Sequence, residues 1–270
     1  MHLFEIHEQS WFPDFLRDHV TDALQHLLNL GNLYQPIVHR LRKAIEETGT
    51  RRVLDLCSGA GGPWPWLHRL LQPSARLPFD IWLTDKYPNT GAFHRARANP
   101  RGKIHFHAAP VNATNVPAEM SGFRTLFTSF HHFRPQEARS ILQDAVNQRQ
   151  GIGIFEAPGR HVVTLLLVCL IPFAYAVLVP FMRPFRWSRV IWTYLLPIIP
   201  FVLFFDGIVS CLRVYSPAQL RELTAGITAN GYQWEIGVEK GGFLRVPITY
   251  LIGYPKAAEP IEFAAPISSA

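Results

Sequence analysis

A chain of 270 residues can bury a full hydrophobic core as one large domain or two small ones. Only 17% of its residues are charged, against about 25% in soluble domains, so an unusually apolar segment must lie somewhere along it. The formal charge of +6 suits nucleic acid, an anionic membrane surface or plain solubility, but no run of Lys and Arg reads as a nucleic-acid patch.

Three cysteines, Cys57, Cys169 and Cys211, cannot all pair and form no C-x-x-C spacing, which fits a reduced compartment; no metal is expected. The opening MHLFEIHEQSWF has no basic region ahead of an apolar run, so no cleavable signal peptide is expected. Helices are predicted over 14–47, with Leu16, Val20, Leu24, Leu27 and Leu28 on one face, an interruption at Gly31 and a second stretch from Tyr34 to Glu47. From Arg51 the pattern changes to short apolar runs separated by helical stretches. The predicted strands are Val53–Leu56, Phe79–Thr84, Ile104–His107, Thr125–Phe130 and Ile152–Phe155. Such alternation implies a parallel sheet covered on both faces. Two uncharged stretches follow, 162–180 and 190–205, separated by FMRPFRWSR. Then Ser216, Pro217 and Gln219 mark a helix start and Asn230-Gly231 its end. Tyr232–Lys240 and Ile248–Tyr254 flank a Gly-Gly turn and read as a closing antiparallel pair.

The most informative segment is RRVLDLCSGAGGP, residues 51–63. An apolar strand ends in Asp55, passes a turn with Gly59, Gly61 and Gly62, and enters a helix near Trp66; glycine permits the special dihedrals and the close ligand approach such a turn requires. VLDLCSGAGG resembles motif I of the class I S-adenosylmethionine (SAM)-dependent methyltransferases, in which an acid precedes a G-x-G-x-G turn. Asp55 matches the acid and Gly59 and Gly61 the second and third glycines, while Cys57 stands where the first usually is.

The resemblance implies a seven-stranded, mostly parallel, Rossmann-like α/β sheet with helices on both faces. It also implies SAM as cofactor, held by Asp55, Cys57, Ser58, Gly59, Ala60 and Gly61. In IWLTDKYPN, Asp85, followed by Lys86, takes the place of the acid that binds the ribose hydroxyls. In PVNATNVP, Asn112-Ala113 resembles the pair whose side chain binds the adenine amino group. Plainer readings are that Asp55 caps its own turn, that Asp85 is an exposed strand-end acid and that Asn112 is a turn residue.

In such a topology the end of the fourth strand, TSFHHFRP, should lie beside the methyl group, which brings Ser129, His131 and His132 to the reaction. A histidine with a pKa near 6.5 can accept a hydroxyl proton, or it can merely line the pocket. Glu156 is a second candidate base, with a cap or ion-pair role as its alternative. Trp11 and Phe12 are expected to close the site or to pack in the core, and Arg213 and Tyr215 to contact substrate or to flank a helix.

As a helix, 162–180 would reach about 28 Å, close to the thickness of a bilayer's hydrocarbon, and Pro172, Pro197 and Pro200 would kink the two apolar helices. A hydrophobic hairpin attached to a membrane is expected, either spanning it or lying in its interface, with a buried dimerisation hairpin as the alternative. Spanning would carry Arg183, Arg186 and Arg189 across, against the positive-inside tendency. The predicted organisation is an N-terminal helical extension over 1–50, a SAM-binding domain over 51–160, the hairpin over 161–207, the completion of the domain over 208–256 and a loose tail over 257–270.

The function expected is methyl transfer to a small or lipid-like hydrophobic acceptor by a membrane-associated enzyme whose catalytic domain is cytoplasmic. Its partners would be the acceptor and membrane lipids, not nucleic acid: no target motif such as N-P-P-Y stands where TSFHHF does. The rival readings are a tethered non-catalytic SAM-binding protein and an NAD-dependent oxidoreductase.

Overall fold

In the computed structural model of the chain, residues 3–29, 32–72, 78–98, 103–157, 159–227, 231–241 and 245–256 are described. Gly31, Asn230, the Gly-Gly turn's second residue and the predicted tail lie outside them. Two N-terminal helices, α1 (Asp14–Asn29) and α2 (Val38–Thr48), precede the sheet. The alternation then runs β1 (Arg52–Asp55), α3 (Trp64–Leu71), β2 (Asp80–Leu83), α4 (Thr90–Arg97), β3 (Ile104–Phe106), β4 (Phe123–Phe127), α5 (Pro135–Asn147) and β5 (Ile152–Glu156). Three helices follow: α6 (Val162–Leu178), α7 (Trp187–Val190) and α8 (Ile198–Arg213). The chain closes with α9 (Pro217–Ala225), β6 (Tyr232–Gly241) and β7 (Val246–Pro255).

The seven strands order β3-β2-β1-β4-β5-β7-β6. Neighbours among the first five pair in parallel, while β7 runs antiparallel to both β5 and β6. This is the Rossmann-like methyltransferase arrangement, with the order reversing between β1 and β4. Alternate residues of each strand serve opposite faces. Val53, Phe123 and Phe155 pack with Leu41, Trp64 and Phe93 from α2, α3 and α4. Leu54, Leu126 and Ile154 pack with Ile141 and Leu142 of α5 and Leu220 and Leu223 of α9.

Two element ends differ from expectation. The fourth strand stops at Phe127, not Phe130, and Phe130–His132 form a 3-10 turn. Thr128 takes a positive φ of 48°, and the amides of Ser129 and Phe130 donate to Glu156 Oε1 rather than to a sheet ladder. The helix opened by the Ser216–Gln219 capping box ends at Ala225 with Gly226 as its cap, short of Asn230-Gly231.

A third apolar cluster lies apart from the sheet. Phe12, Leu16, Val20 and Ala23, on and before α1, pack with Tyr175 and Val179 from the first arm and Ile199, Val202 and Leu203 of α8. The apolar helices therefore fold back over α1. Pro172 sits within α6 without ending it, whereas at Leu196–Pro197 the chain bends by 72° between Trp187–Leu195 and Ile198–Arg213. Val162–Phe181 is long and apolar enough to cross a membrane, with a mean hydropathy of 2.8 and 22% of its window buried. The core helix of a soluble protein passes the same test. Before the bend, Arg186 and Arg189 return to the body of the molecule, 3.6 and 3.5 Å from Asp22 Oδ2 on α1.

Candidate active site

The glycine turn is built around Asp55, which is buried at the end of β1. Thr125 Oγ1 donates to its Oδ1 at 2.6 Å and Ser58 Oγ to its Oδ2 at 2.7 Å. Burial pushes the carboxyl up to about 7, although these hydroxyl donors pull the other way. Cys57 takes φ +57° and Gly61 φ +103°. At Gly61 a Cβ would lie 3.2 Å from Gln25 Nε2, so α1 rides close above the turn; Gln25 Nε2 also donates to the Ala60 carbonyl at 2.6 Å.

Asp85, one strand over, accepts the Gly59 amide on Oδ2 at 2.7 Å and the Tyr87 amide on Oδ1 at 2.8 Å. Burial raises this carboxyl, against the pull of those two donors. The carboxylate thus ties the glycine turn to the end of β2.

The second half of the site joins chain segments about 200 residues apart. Asp206 of α8 accepts the amides of Ile6 and His7 at 2.7 and 3.1 Å and faces His7 Nδ1 at 2.7 Å, holding a 3-10 turn at Ile6–Glu8 against α8. That turn delivers Glu5 and Glu8 to the two histidines after β4. His131 Nδ1 lies 2.6 Å from Glu156 Oε2, and its Nε2 lies 3.4 Å from Glu5 Oε1. His132 Nδ1 bonds Glu8 and its Nε2 lies 3.7 Å from Glu5 Oε2. Burial opposes a charge on His131, but the carboxylates of Glu156 and Glu5 outweigh it and push the imidazole up to about 10. For Glu5 burial acts upward and the imidazoles of His132 and His131 overcome it, holding the carboxyl well below its usual range.

These two halves line one cavity of about 750 Å³, within the range of roughly 300–1,000 Å³ that encloses small molecules. Of the residues singled out in the sequence, Cys57, Ser58, Gly59, Ala60, Asp85, Lys86, Ser129, His131 and His132 line it, and Asp55 and Gly61 do not; Glu5, His7, Glu8 and Asp206 line it as well. Its apolar arm runs between α1, α6 and α8 past Leu24, Leu28, Leu167, Ile171 and Leu203.

Other expected residues stand elsewhere. Asn112, outside the cavity wall, accepts Thr114 N and Oγ1 on its own Oδ1, an Asx turn, and Ala113 is buried against α5 and its neighbours. Trp11 is 66% exposed and Phe12 packs against the apolar helices, while Glu5, His7 and Glu8 line the cavity in their stead. Arg213 serves Glu5, Glu8 and the His132 carbonyl, and Tyr215 donates to the Phe133 carbonyl; neither lines the cavity. Glu156 also lies behind the wall, positioning His131. The string EIHE was the only local sign of the N-terminal contribution, because its partners lie in distant parts of the chain.

No protein-family model matches the chain, and no curated protein matches it. Solved structures share its fold. Human N-acetylserotonin methyltransferase in complex with SAM superposes with a TM-score of 0.51 at 12% identity, covering 91% of this chain and 57% of that one. A Rhodobacter sphaeroides protein named as a Zn-dependent alcohol dehydrogenase gives 0.52 at 12% identity, covering 90% and 98%. An O-methyltransferase from neocarzinostatin biosynthesis, in complex with SAM and a naphthoic acid, gives 0.48 at 16% identity, covering 86% and 55%. The chain thus spans little more than half of either methyltransferase.

Proposed function

We propose that this chain is a SAM-dependent methyltransferase that works at a membrane surface on a small hydrophobic acceptor. The observation that carries the reading is the single cavity, in which an acid-flanked glycine turn opens directly into an apolar arm. A glycine turn at the carboxyl edge of β1, in a sheet whose order reverses there, is where such folds take nucleoside ligands. The turn from Cys57 to Gly61 and the Asp85 carboxylate would hold the cofactor, whose sulfonium supplies an already activated methyl group. Asp85 retains lone pairs beyond its two amide bonds for ribose hydroxyls. His131 and His132 face the same space and would orient an acceptor. The cover formed by α1 and the 3-10 turn at Ile6–Glu8 would limit the access of water, and proximity would supply much of the rate.

Membrane attachment is supported by the outer face of α6, where Val162, Leu166, Leu170, Phe173 and Val177 recur at helical spacing and are all exposed. Trp187, Leu195, Phe201 and Phe204 extend that exposed apolar face. Since Arg186 and Arg189 return to Asp22, the hairpin lies along the body; we read it as resting in the interface, its outer face in lipid, rather than crossing. An acceptor dissolved in lipid would then enter the apolar arm directly.

Calorimetry on detergent-held protein tests the reading. S-adenosylhomocysteine is expected to bind, and Asp85→Ala to weaken it by more than about tenfold by leaving ribose hydroxyls unpaired. Binding of NAD in place of S-adenosylhomocysteine would turn the reading toward the dehydrogenase-like neighbour. Transfer of labelled methyl from SAM into a lipid extract would identify the acceptor class.

A further inference from the structure

The histidine–carboxylate cluster at the cavity's polar end contains an arrangement that hydrogen bonding leaves incomplete. His131 and His132 each turn Nδ1 to a carboxylate, Glu156 at 2.6 Å and Glu8 respectively. When Nδ1–H is donated in this way, an imidazole that releases its other proton on binding a cation offers the lone pair on Nε2. Both Nε2 atoms face the same side chain, Glu5, at 3.4 and 3.7 Å. Those separations exceed the ordinary hydrogen-bond range of about 2.7–3.2 Å. His131 is 1% exposed and its Nε2 makes no hydrogen bond. A carboxylate and two imidazoles thus converge on one small volume, each offering a ligand atom within 4.8 Å of the others.

Atoms about 2.0–2.2 Å from a tetrahedral ion lie roughly 3.3–3.6 Å from one another; His131 approaches one Glu5 oxygen at 3.4 Å and His132 the other at 3.7 Å, and one ligand atom from each of the three residues lies within 4.8 Å of the others. We propose that Glu5, His131 and His132 form a site for a divalent ion of the zinc class. Glu156 and Glu8 are its outer carboxylates, in the carboxylate–histidine–metal pattern that fixes ligand orientation. Ser210 and Arg213 hold Glu5 Oε1 at 3.0 and 3.2 Å, steadying that side chain beside α8. The neighbouring group of Glu5, His7 and Asp206 is a poorer candidate. There His7 Nδ1 and Asp206 already form a 2.7 Å hydrogen bond. Glu5, His131 and His132 all border the cavity, so the ion's open position faces the space assigned to the acceptor, and an oxygen of the acceptor would complete the coordination. That role rests on the methyltransferase reading, whereas ion binding does not. Sequence spacing could not reveal the site, because Glu5 and the histidines stand more than a hundred residues apart.

The test uses the full chain in detergent, stripped with a chelator and titrated with Zn²⁺ by calorimetry and with Co²⁺ by visible absorption. One ion per chain is expected, with an intense Co²⁺ spectrum of low coordination number. Glu5→Gln and His132→Ala should weaken it at least about tenfold, as should the outer-carboxylate variant Glu8→Gln, which carries the test if the first two fail to fold. Absence of ion uptake, or equal uptake by wild type and variants, overturns the proposal. S-adenosylhomocysteine binding measured in the same samples separates the two readings: retained without ion uptake, it sinks the metal site alone, and lost with ion uptake intact, it sinks the methyltransferase alone.

Discussion

At Cys57 a side chain occupies backbone geometry, φ +57°, that costs an L-residue about 1–2 kcal/mol. Cys57→Gly is therefore expected to leave thermal stability unchanged or raised, and Cys57→Val, β-branched, to lower the melting temperature by several degrees. Equal melting temperatures for the Gly and Val variants would remove the strain argument. Asp55 gives a pH dependence. Its folded-state carboxyl lies near 7, above an ordinary value of about 3.9. A raised carboxyl favours the protonated form, so its contribution to stability is whole below about pH 4 and is lost as pH rises through about 7. Thermal stability of the cofactor-free protein should fall over that window, and Asp55→Asn should flatten the fall; parallel wild-type and variant curves would contradict it. Both residues were legible in the sequence because the strand, the turn and its acid are neighbours in the chain. Glu5, Glu8 and Thr125 were not, since what each contributes depends on partners that only the fold brings near.

Among the elements, the apolar helices do more than present an outer face. Through Asp206 they hold the Ile6–Glu8 turn, and through Ser210 and Arg213 they hold Glu5. Asp206→Ala is expected to release that turn, seen as faster hydrogen exchange or proteolysis around residues 5–12, while S-adenosylhomocysteine binding at the glycine turn changes little. Unaltered exchange there would show that packing of Phe12 and Leu16 alone retains the segment. The sequence marked both apolar stretches as helical; the second breaks at Leu196–Pro197, and its last helix runs on to Arg213, past the uncharged run. It overran β4, since a strand propensity in Ser129-Phe130 cannot register that a carboxylate from β5 will capture both amides. It overran α9 for a similar reason: Gly226 ended the helix before the stronger-looking Asn-Gly pair.

For the molecule as a whole, the parallel sheet and its two covered faces followed from the alternation of strands and helices, the antiparallel pair from the closing hairpin, and the seven-stranded topology from the resemblance of the glycine turn. The way the apolar arm folds back on α1 did not, because uncharged helices carry no periodicity to say which face is inward. Replacing Phe173, Trp187 and Phe204 with Glu should move the protein from vesicle-bound to free in a flotation assay while preserving S-adenosylhomocysteine binding. Retention on the vesicles would remove the interfacial reading. The contacts of Glu5 with Ser210 and Arg213 also set a timetable. These partners are separated by more than 200 positions, and at about 5–20 residues per second a ribosome needs on the order of 10–40 s to cover that distance. Glu5 is thus made long before the side chains that hold it, so a nascent chain can shape its glycine turn well before Ser210 and Arg213 reach Glu5. The N-terminal turn takes its final place only once the apolar arms have been made and laid down.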